Sequence, residues 1–459
     1  MTVPAGPAGV PGAGARDPLA VLRSREYAVL LVTVAALGVP VSAAAFGFLA
    51  LVHESQSLVY DDLPRAVGLD GTPAWWPVPL LAAAGLLTGL AIRHLPGSGG
   101  HRPAEGMAAS GPVPGARELP GIALAALASL GLGAVLGPEA PLIALGGGLA
   151  VYVVRLLRPG VEPGARTLVG AAGSFAAVSA LLGSPLLGAF LLMEASGVAG
   201  MTLALVLVPG LLASGVGSLI FIGLGSWTGL GTFSLTLPDV PHAGQPTVAG
   251  FGWAVVLGVA AACAGTGIRR LSLLLQERVE RATVAASVVA GLAVGVLALL
   301  YAQSTGREAS EVLFSGQTAL GPLIAAAGGY SAGTLVVLVL CKSLAYCVSL
   351  GALRGGPVFP AMFVGAAGGL ALAHLPGLDP TAGFAMGIGS MSAAMLRLPM
   401  TSVLLATLLL GGEGVTVMPL VIVAVVVSYV LTLRLERPAA AKPPVPEEGR
   451  GPAGAGGPG

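Results

Sequence analysis

Residues 283–301 read TVAASVVAGLAVGVLALLY, an apolar run without a charged side chain. A helix of about 20 apolar residues crosses the hydrocarbon core of a bilayer, and comparable stretches lie at 27–51, 75–92, 201–224, 249–268 and 415–433. Nothing else in the chain constrains the fold so tightly. In lipid every backbone N–H and C=O must be satisfied within the structure, which restricts a spanning chain to packed helices or a closed barrel. The period-two alternation of barrel strands is absent, so the fold class is all-α integral membrane. Only 9% of residues are charged, against roughly 25% in soluble domains. The formal net charge of +1 provides no basic surface for nucleic acid.

The 71 glycines and 36 prolines fall in two kinds of place. Some fill low-complexity ends, which predicts a disordered cytoplasmic tail over 1–25 and a second tail over 436–459 around a transmembrane domain at 26–435. Others separate half-length apolar segments, predicting helices that start or stop at membrane depth, where freed backbone lines a cavity or is buried in protein. Arg16, Arg23 and Arg25 precede the first span, and the next loop carries Glu54, Asp61 and Asp62. Later loops hold Arg93, Arg102 and Arg117, then Arg155, Arg158 and Arg166, then Arg269, Arg270, Arg278 and Arg281. Short loops rich in arginine stay in the cytoplasm, so both termini are expected inside a multi-pass plasma-membrane protein. Cys263, Cys341 and Cys347 show no metal spacing and are expected to be buried structural residues. Five scattered histidines support neither a metal site nor a catalytic base.

Two segments echo each other. GPEAPLIALGGG at 137–148 and GPVFPAMFVGAAGG at 356–369 share Gly137/Gly356, Pro138/Pro357, Pro141/Pro360 and Gly146/Gly365, an offset of 219 residues. Downstream, SALLGSPLLGAFLLME and SAAMLRLPMTSVLLATLLL place Pro185 opposite Pro399, an offset of 214. Two motifs in order at nearly one spacing indicate a duplication, with repeat halves at about 74–225 and 249–435. Such halves commonly face each other with inverted topology and broken helices meeting near the midplane. Proline is tolerated in a first helical turn, so GPEAP and GPVFP both predict helix starts. Their unpaired N–H groups and positive dipole ends favour an anion, without a fixed cation to trap it.

Glu139 is the only carboxylate between 119 and 161, placed where an anion is favoured. An acid inside a membrane marks a functional site: ionised it occupies the anion position, protonated it swings away. The bland alternative is a charge complementing the helix dipole. Glu194 either caps or pairs with a loop arginine, or lines the pathway. Lys342 either faces the pathway or pairs with a carboxylate. Ser98 and Gly99, in LPGSGGHRPAEGM at 95–107, place a hydroxyl and neighbouring N–H groups where they could face an ion.

Together GSGGH at 97–101, GPEAP at 137–141 and GPVFP at 356–360 resemble, in order and spacing, the signature stretches G-S-G-I-P, G-[KR]-E-G-P and G-x-F-x-P of the CLC chloride channel and transporter family. The resemblance runs from about residue 26 to 435. It implies a homodimer with one anion pathway per subunit, built from two inverted halves of tilted, broken helices, and it implies no cofactor. It implies that Ser98 and Gly99, Gly137, Ala140, Gly356, Val358 and Phe359 bind chloride. Glu139 would be the gating glutamate, and Glu139, Glu194 and Glu105 the candidates for a proton pathway.

The chain departs from the family pattern at Pro138 and Ala140, at Gly100 and His101, and at Pro357, which has no N–H. Ala195 stands where exchangers often carry an inner glutamate, and no tyrosine follows Tyr429 to supply the late coordinating hydroxyl. Glu139 permits either a passive or voltage-gated chloride channel or a chloride/proton exchanger, and the missing inner glutamate tilts the expectation slightly towards the channel. The same fold selecting fluoride or nitrate is the second expectation. A membrane enzyme or cation-coupled transporter would need a carboxylate pair, a metal cluster or several buried acids, none of which the sequence offers. With about 25 residues after the last span, nucleotide regulation through the paired cytoplasmic domains of some relatives is not expected.

Overall fold

A computed structural model describes residues 22–107, 112–197, 201–237 and 239–436. The predicted tails, except for residues 22–25 and 436, lie outside the described residues. The longer helices are α1 (Arg25–Ser57), α2 (Pro77–His94), α3 (Leu119–Gly131), α4 (Glu139–Leu157), α5 (Pro163–Val178), α6 (Pro185–Ser196) and α7 (Met201–Thr228). They continue as α8 (Val248–Arg281), α9 (Thr283–Thr305), α10 (Ala332–Ala352), α11 (Val358–Leu372), α12 (Pro380–Leu396), α13 (Pro399–Leu409) and α14 (Gly411–Leu435). Among the described residues the one extended pairing is an isolated antiparallel bridge between Gly137 and Gly356.

Local chemistry sets the helix ends. Ser24, Thr247, Ser331 and Asp379 cap α1, α8, α10 and α12 by accepting N–H bonds from Tyr27, Gly250, Thr334 and Ala382, which removes one orphan donor at each start. Proline opens α2, α5, α6, α12 and α13, where its missing N–H costs nothing. Among the described residues, eight helical stretches are long and apolar enough to cross a membrane. Helices α3, α6, α11 and α13 have 13, 12, 15 and 11 residues. At about 1.5 Å per residue they fall short of a bilayer core of about 30 Å. These are the half-length helices that the glycine and proline clusters predict.

Small residues let the helices close. α2 carries GLLTG at 85–89 and α9 carries GLAVG at 291–295, and a Cβ on any of these four glycines would strike the facing helix, the close-approach pattern of membrane helix pairs. Within α4 and α5, Gly146 faces Gly173; within α11 and α12, Gly365 faces Gly387. These two contacts keep the 219- and 214-residue offsets of the sequence motifs, so the echo extends from helix starts to helix packing.

Helix α12 is buried from Thr381 to Leu396 and α11 along most of its length, as befits helices that are apolar all round. Val32, Leu219 and Val289 are exposed on the outside of the bundle, where the surrounding solvent is lipid. The cysteine expectation needs correcting: Cys347 is buried and Cys341 half-buried, but Cys263 is exposed. Its apolar run lies on an outward face of α8, and a run of this kind does not distinguish core from lipid.

Candidate functional site

Both sequence motifs open on helix starts, and the two starts touch. Gly137 donates its N–H to the Gly356 carbonyl at 2.8 Å, and Gly356 donates to the Gly137 carbonyl at 2.6 Å. This corrects the expected role of both glycines, since each amide is spent on its partner and clamps the two starts together. Pro138 and Pro357 sit just before the helices, with φ of −83° and −91°, rather than inside the first turn. Pro141 and Pro360 take the third helical position, where an N–H would have no partner. Helical geometry therefore leaves first-turn donors on Glu139 and Ala140 of α4 and on Val358 and Phe359 of α11.

Glu139 occupies that junction. Its side chain is 0% exposed, and Oε1 accepts the Val358 N–H at 2.5 Å. Oε2 is buried with no hydrogen-bond partner. A carboxylate thus holds a helix-start donor across the interface between the two motifs while half of its acceptor capacity is unmet. A Cβ at Gly356 would collide with the Glu139 carboxyl group, so this glycine makes room for the side chain. One neighbour escaped the sequence reading: Tyr346 of α10, 0% exposed, donates to the Pro357 carbonyl at 2.7 Å and lies within electrostatic range of Glu139. Its only sequence signal was a tyrosine in an apolar helix eleven residues before Pro357.

Above Glu139 opens a funnel of about 1140 Å³, whose wall includes Leu136 and Pro138 next to the carboxylate. His53, Asp61, Asp239 and Glu308 also line it, and no lysine or arginine does so among the described residues. The funnel reaches Pro77, the first residue of α2; the Ser98 loop follows the other end of that helix. Eighteen helical residues span about 27 Å, so the funnel and Ser98 belong to opposite faces.

At the Ser98 end, Gly97, Ser98, Gly99 and Gly100 all have positive φ, at 83°, 49°, 73° and 86°. Glycine adopts this region freely and serine does not, so Ser98 is held there by its surroundings. Arg354 Nε and Nη2 donate to the Ser98 carbonyl at 3.4 and 3.3 Å. The serine side chain is exposed, whereas Gly99 is buried against Arg354. Arg354 is a second residue that sequence reasoning passed over, two positions before Gly356.

The remaining candidates have other employment. Glu194 accepts the N–H groups of Met400 and Thr401 at 3.0 and 2.7 Å and the Thr401 hydroxyl at 2.6 Å, so it caps α13 from α6. Glu105 pairs with Arg102 at 3.3 Å and accepts from Gln276 at 3.1 Å. Partial burial alone would raise its pKa, but these hydrogen bonds and the Arg102 charge outweigh it and hold the carboxyl below its ordinary range. His101 is held below its ordinary value by burial, with the Arg354 and Arg102 charges acting in the same direction. Lys342, 0% exposed, meets neither a carboxylate nor the pathway. Its Nζ donates to the Glu311, Val312 and Leu313 carbonyls at 3.1, 3.1 and 2.9 Å and lies 4.3 Å from the centre of the Phe363 ring.

The family model for voltage-gated chloride channels matches residues 80–433. A candidate ion-transport protein, YfeO of Escherichia fergusonii, is 27% identical over 360 residues, covering 77% of this chain and 81% of that protein. The protein of the same name from Escherichia coli O139:H28 is 26% identical over 416 residues, covering 89% and 94%. Among solved structures, a slow cyanobacterial Cl⁻/H⁺ antiporter superposes with a TM-score of 0.68 at 18% identity, covering 88% of this chain and 94% of that one. A CLC-type fluoride/proton antiporter superposes with a TM-score of 0.63 at 19% identity, covering 89% and 96%.

Proposed function

The chain belongs to the voltage-gated chloride channel family, and from that membership we propose that it carries small inorganic anions, chloride first, along a pathway gated by Glu139. One observation carries the proposal: a fully buried carboxylate sits on the Val358 N–H with its second oxygen unpartnered. A helix start that binds a tethered carboxylate binds a free anion by the same donors. Val358, Phe359 and Ala140 are then the amides that meet the ion, Gly137 and Gly356 hold the two starts in register, and Ser98 and Gly99 form the far end. Protonating Glu139 removes the charge that competes for the donors, and the side chain can leave.

Conduction without obligatory proton exchange is the form favoured. Glu194 is engaged in capping α13 and Glu105 is held ionised by Arg102 and Gln276, so neither is suited to passing protons, and Ala195 has no titratable side chain. Fluoride is the second reading, supported by the fluoride/proton antiporter with a similar fold. The loop arginines support cytoplasmic termini in a plasma membrane, with the acidic funnel facing out. The repeated motifs support halves at 74–225 and 249–435 related by inversion, and family membership supports a homodimer with one pathway per subunit. Chloride efflux from proteoliposomes, recorded together with pH at clamped voltage, tests the proposal. Chloride flux without proton movement is expected; fluoride flux alone would move the reading to fluoride, and no anion flux would overturn it.

A further inference from the structure

We propose that Arg354 is an anion-binding and selectivity-determining residue, forming with the Ser98 hydroxyl a cationic subsite for a small monovalent anion at the end of the pathway opposite the funnel. The inference rests on the anion-transport reading above and adds a site to it.

Arg354 stands two positions before Gly356 of the second glycine-proline motif and is 8% exposed. An arginine so deeply buried ordinarily has a carboxylate partner, because an uncompensated buried charge is costly. Among the described residues no acid lies within ion-pair distance of it. Glu105 and Glu280, the acids whose charges act on it, both pair with Arg102, at 3.3 and 3.0 Å, and Gln276 bridges the same two acids. His101, the other titratable neighbour, is pushed towards its neutral form and adds no negative charge. The guanidinium therefore has no direct ion-pair partner, and the charges of Glu105 and Glu280 reach it only from beyond ion-pair distance.

Its hydrogen bonding leaves the same gap. A guanidinium has five N–H donors. Arg354 uses three through its side chain: Nε and Nη2 on the Ser98 carbonyl, and Nη1 on the Leu353 carbonyl at 3.2 Å. Two donors of a side chain more than nine-tenths buried are left without a protein acceptor. The fork grips the carbonyl of a residue that stands at φ 49° and is itself exposed. A single anion supplies an acceptor for two N–H groups and one hydroxyl, and the direct counter-charge that the guanidinium lacks. The carbonyl contacts fix the guanidinium in place, so one charge and one hydroxyl hold the ion, without the full cage that would trap it.

The test uses full-length protein and chloride as the probe. Flux in proteoliposomes is measured against internal and external chloride, and melting in detergent is followed as chloride replaces gluconate. For Arg354→Met, the half-saturating chloride concentration on the Ser98 side is expected to rise by at least about tenfold, the loss of one charge-assisted contact. The chloride-dependent rise in melting temperature should shrink with it. Arg354→Lys keeps the charge and should stay within about threefold of wild type. Ser98→Ala should raise the same constant without lowering the melting temperature in gluconate. If Arg354→Met does not fold, Arg354→Gln is read out identically. Wild-type chloride dependence in Arg354→Met or Arg354→Gln, with lowered melting alone, would make the residue purely structural and overturn the inference. Wild-type liposomes without any anion flux would instead defeat the transport reading on which it rests.

Discussion

Removing the Glu139 carboxylate should open the pathway, and its contacts set the size of the effect. The Val358 N–H donates to a charged acceptor at 2.5 Å, a bond of a kind that contributes about 1.5–3 kcal/mol. Against it stands the buried, unpartnered Oε2, and leaving such a group unpaired costs about 1–3 kcal/mol. The two nearly cancel, so the closed position is favoured by at most about 2 kcal/mol, or up to about thirtyfold in occupancy. Glu139→Ala should raise chloride efflux at neutral pH by no more than about thirtyfold and remove most of its pH dependence. In wild type, acidification should raise flux, because protonation weakens the same bond. Glu139→Gln keeps an acceptor of about half the strength and should fall between the two. Efflux from proteoliposomes, followed with a chloride electrode across a pH series, provides the measurement. Equal flux in wild type and Glu139→Ala at every pH would show that the carboxylate does not compete with the anion.

Four other outcomes are expected. Gly356→Ala places a Cβ against the Glu139 carboxyl group, so it should displace the side chain and reproduce the higher flux of Glu139→Ala while the glutamate remains; a flux below wild type would refute this. Glu194→Gln weakens the cap of α13 and should lower the detergent melting curve by the equivalent of about 1 kcal/mol with no change in proton movement; altered coupling would return Glu194 to the pathway. Lys342→Met leaves three buried carbonyls without their donor and should cost at least about 2 kcal/mol, read from thermal unfolding, whereas an altered anion selectivity would place Lys342 in the pathway. Neutralising Asp61 and Glu308 in the funnel should speed chloride access from that side several-fold at low ionic strength and little at high salt. A salt-independent change would count against an electrostatic origin.

Much of this architecture was legible in the residues. Long uncharged runs dictated helices in lipid, because no alternative satisfies the backbone there. The glycine-proline echoes marked two helix starts 219 residues apart, and a lone acid in an apolar run marked Glu139. What sequence could not supply was which polar groups meet across helices. Gly137 and Gly356 looked like free donors, since a motif shows which amides lie at a helix start but not that two starts face each other and use up those amides. Glu194 and Lys342 stayed open between a structural and a pathway role, because a buried charge reads the same whether its partner is an ion or the end of another helix. Arg354 and Tyr346 went unnoticed because their significance depends on Ser98, 256 residues away, and on the Pro357 carbonyl. The sequence determines where the chain enters lipid and where its helices break, since these follow from local hydrophobicity and backbone conformation. Tertiary structure alone decides which donors remain unspent, because that depends on contacts between segments hundreds of residues apart.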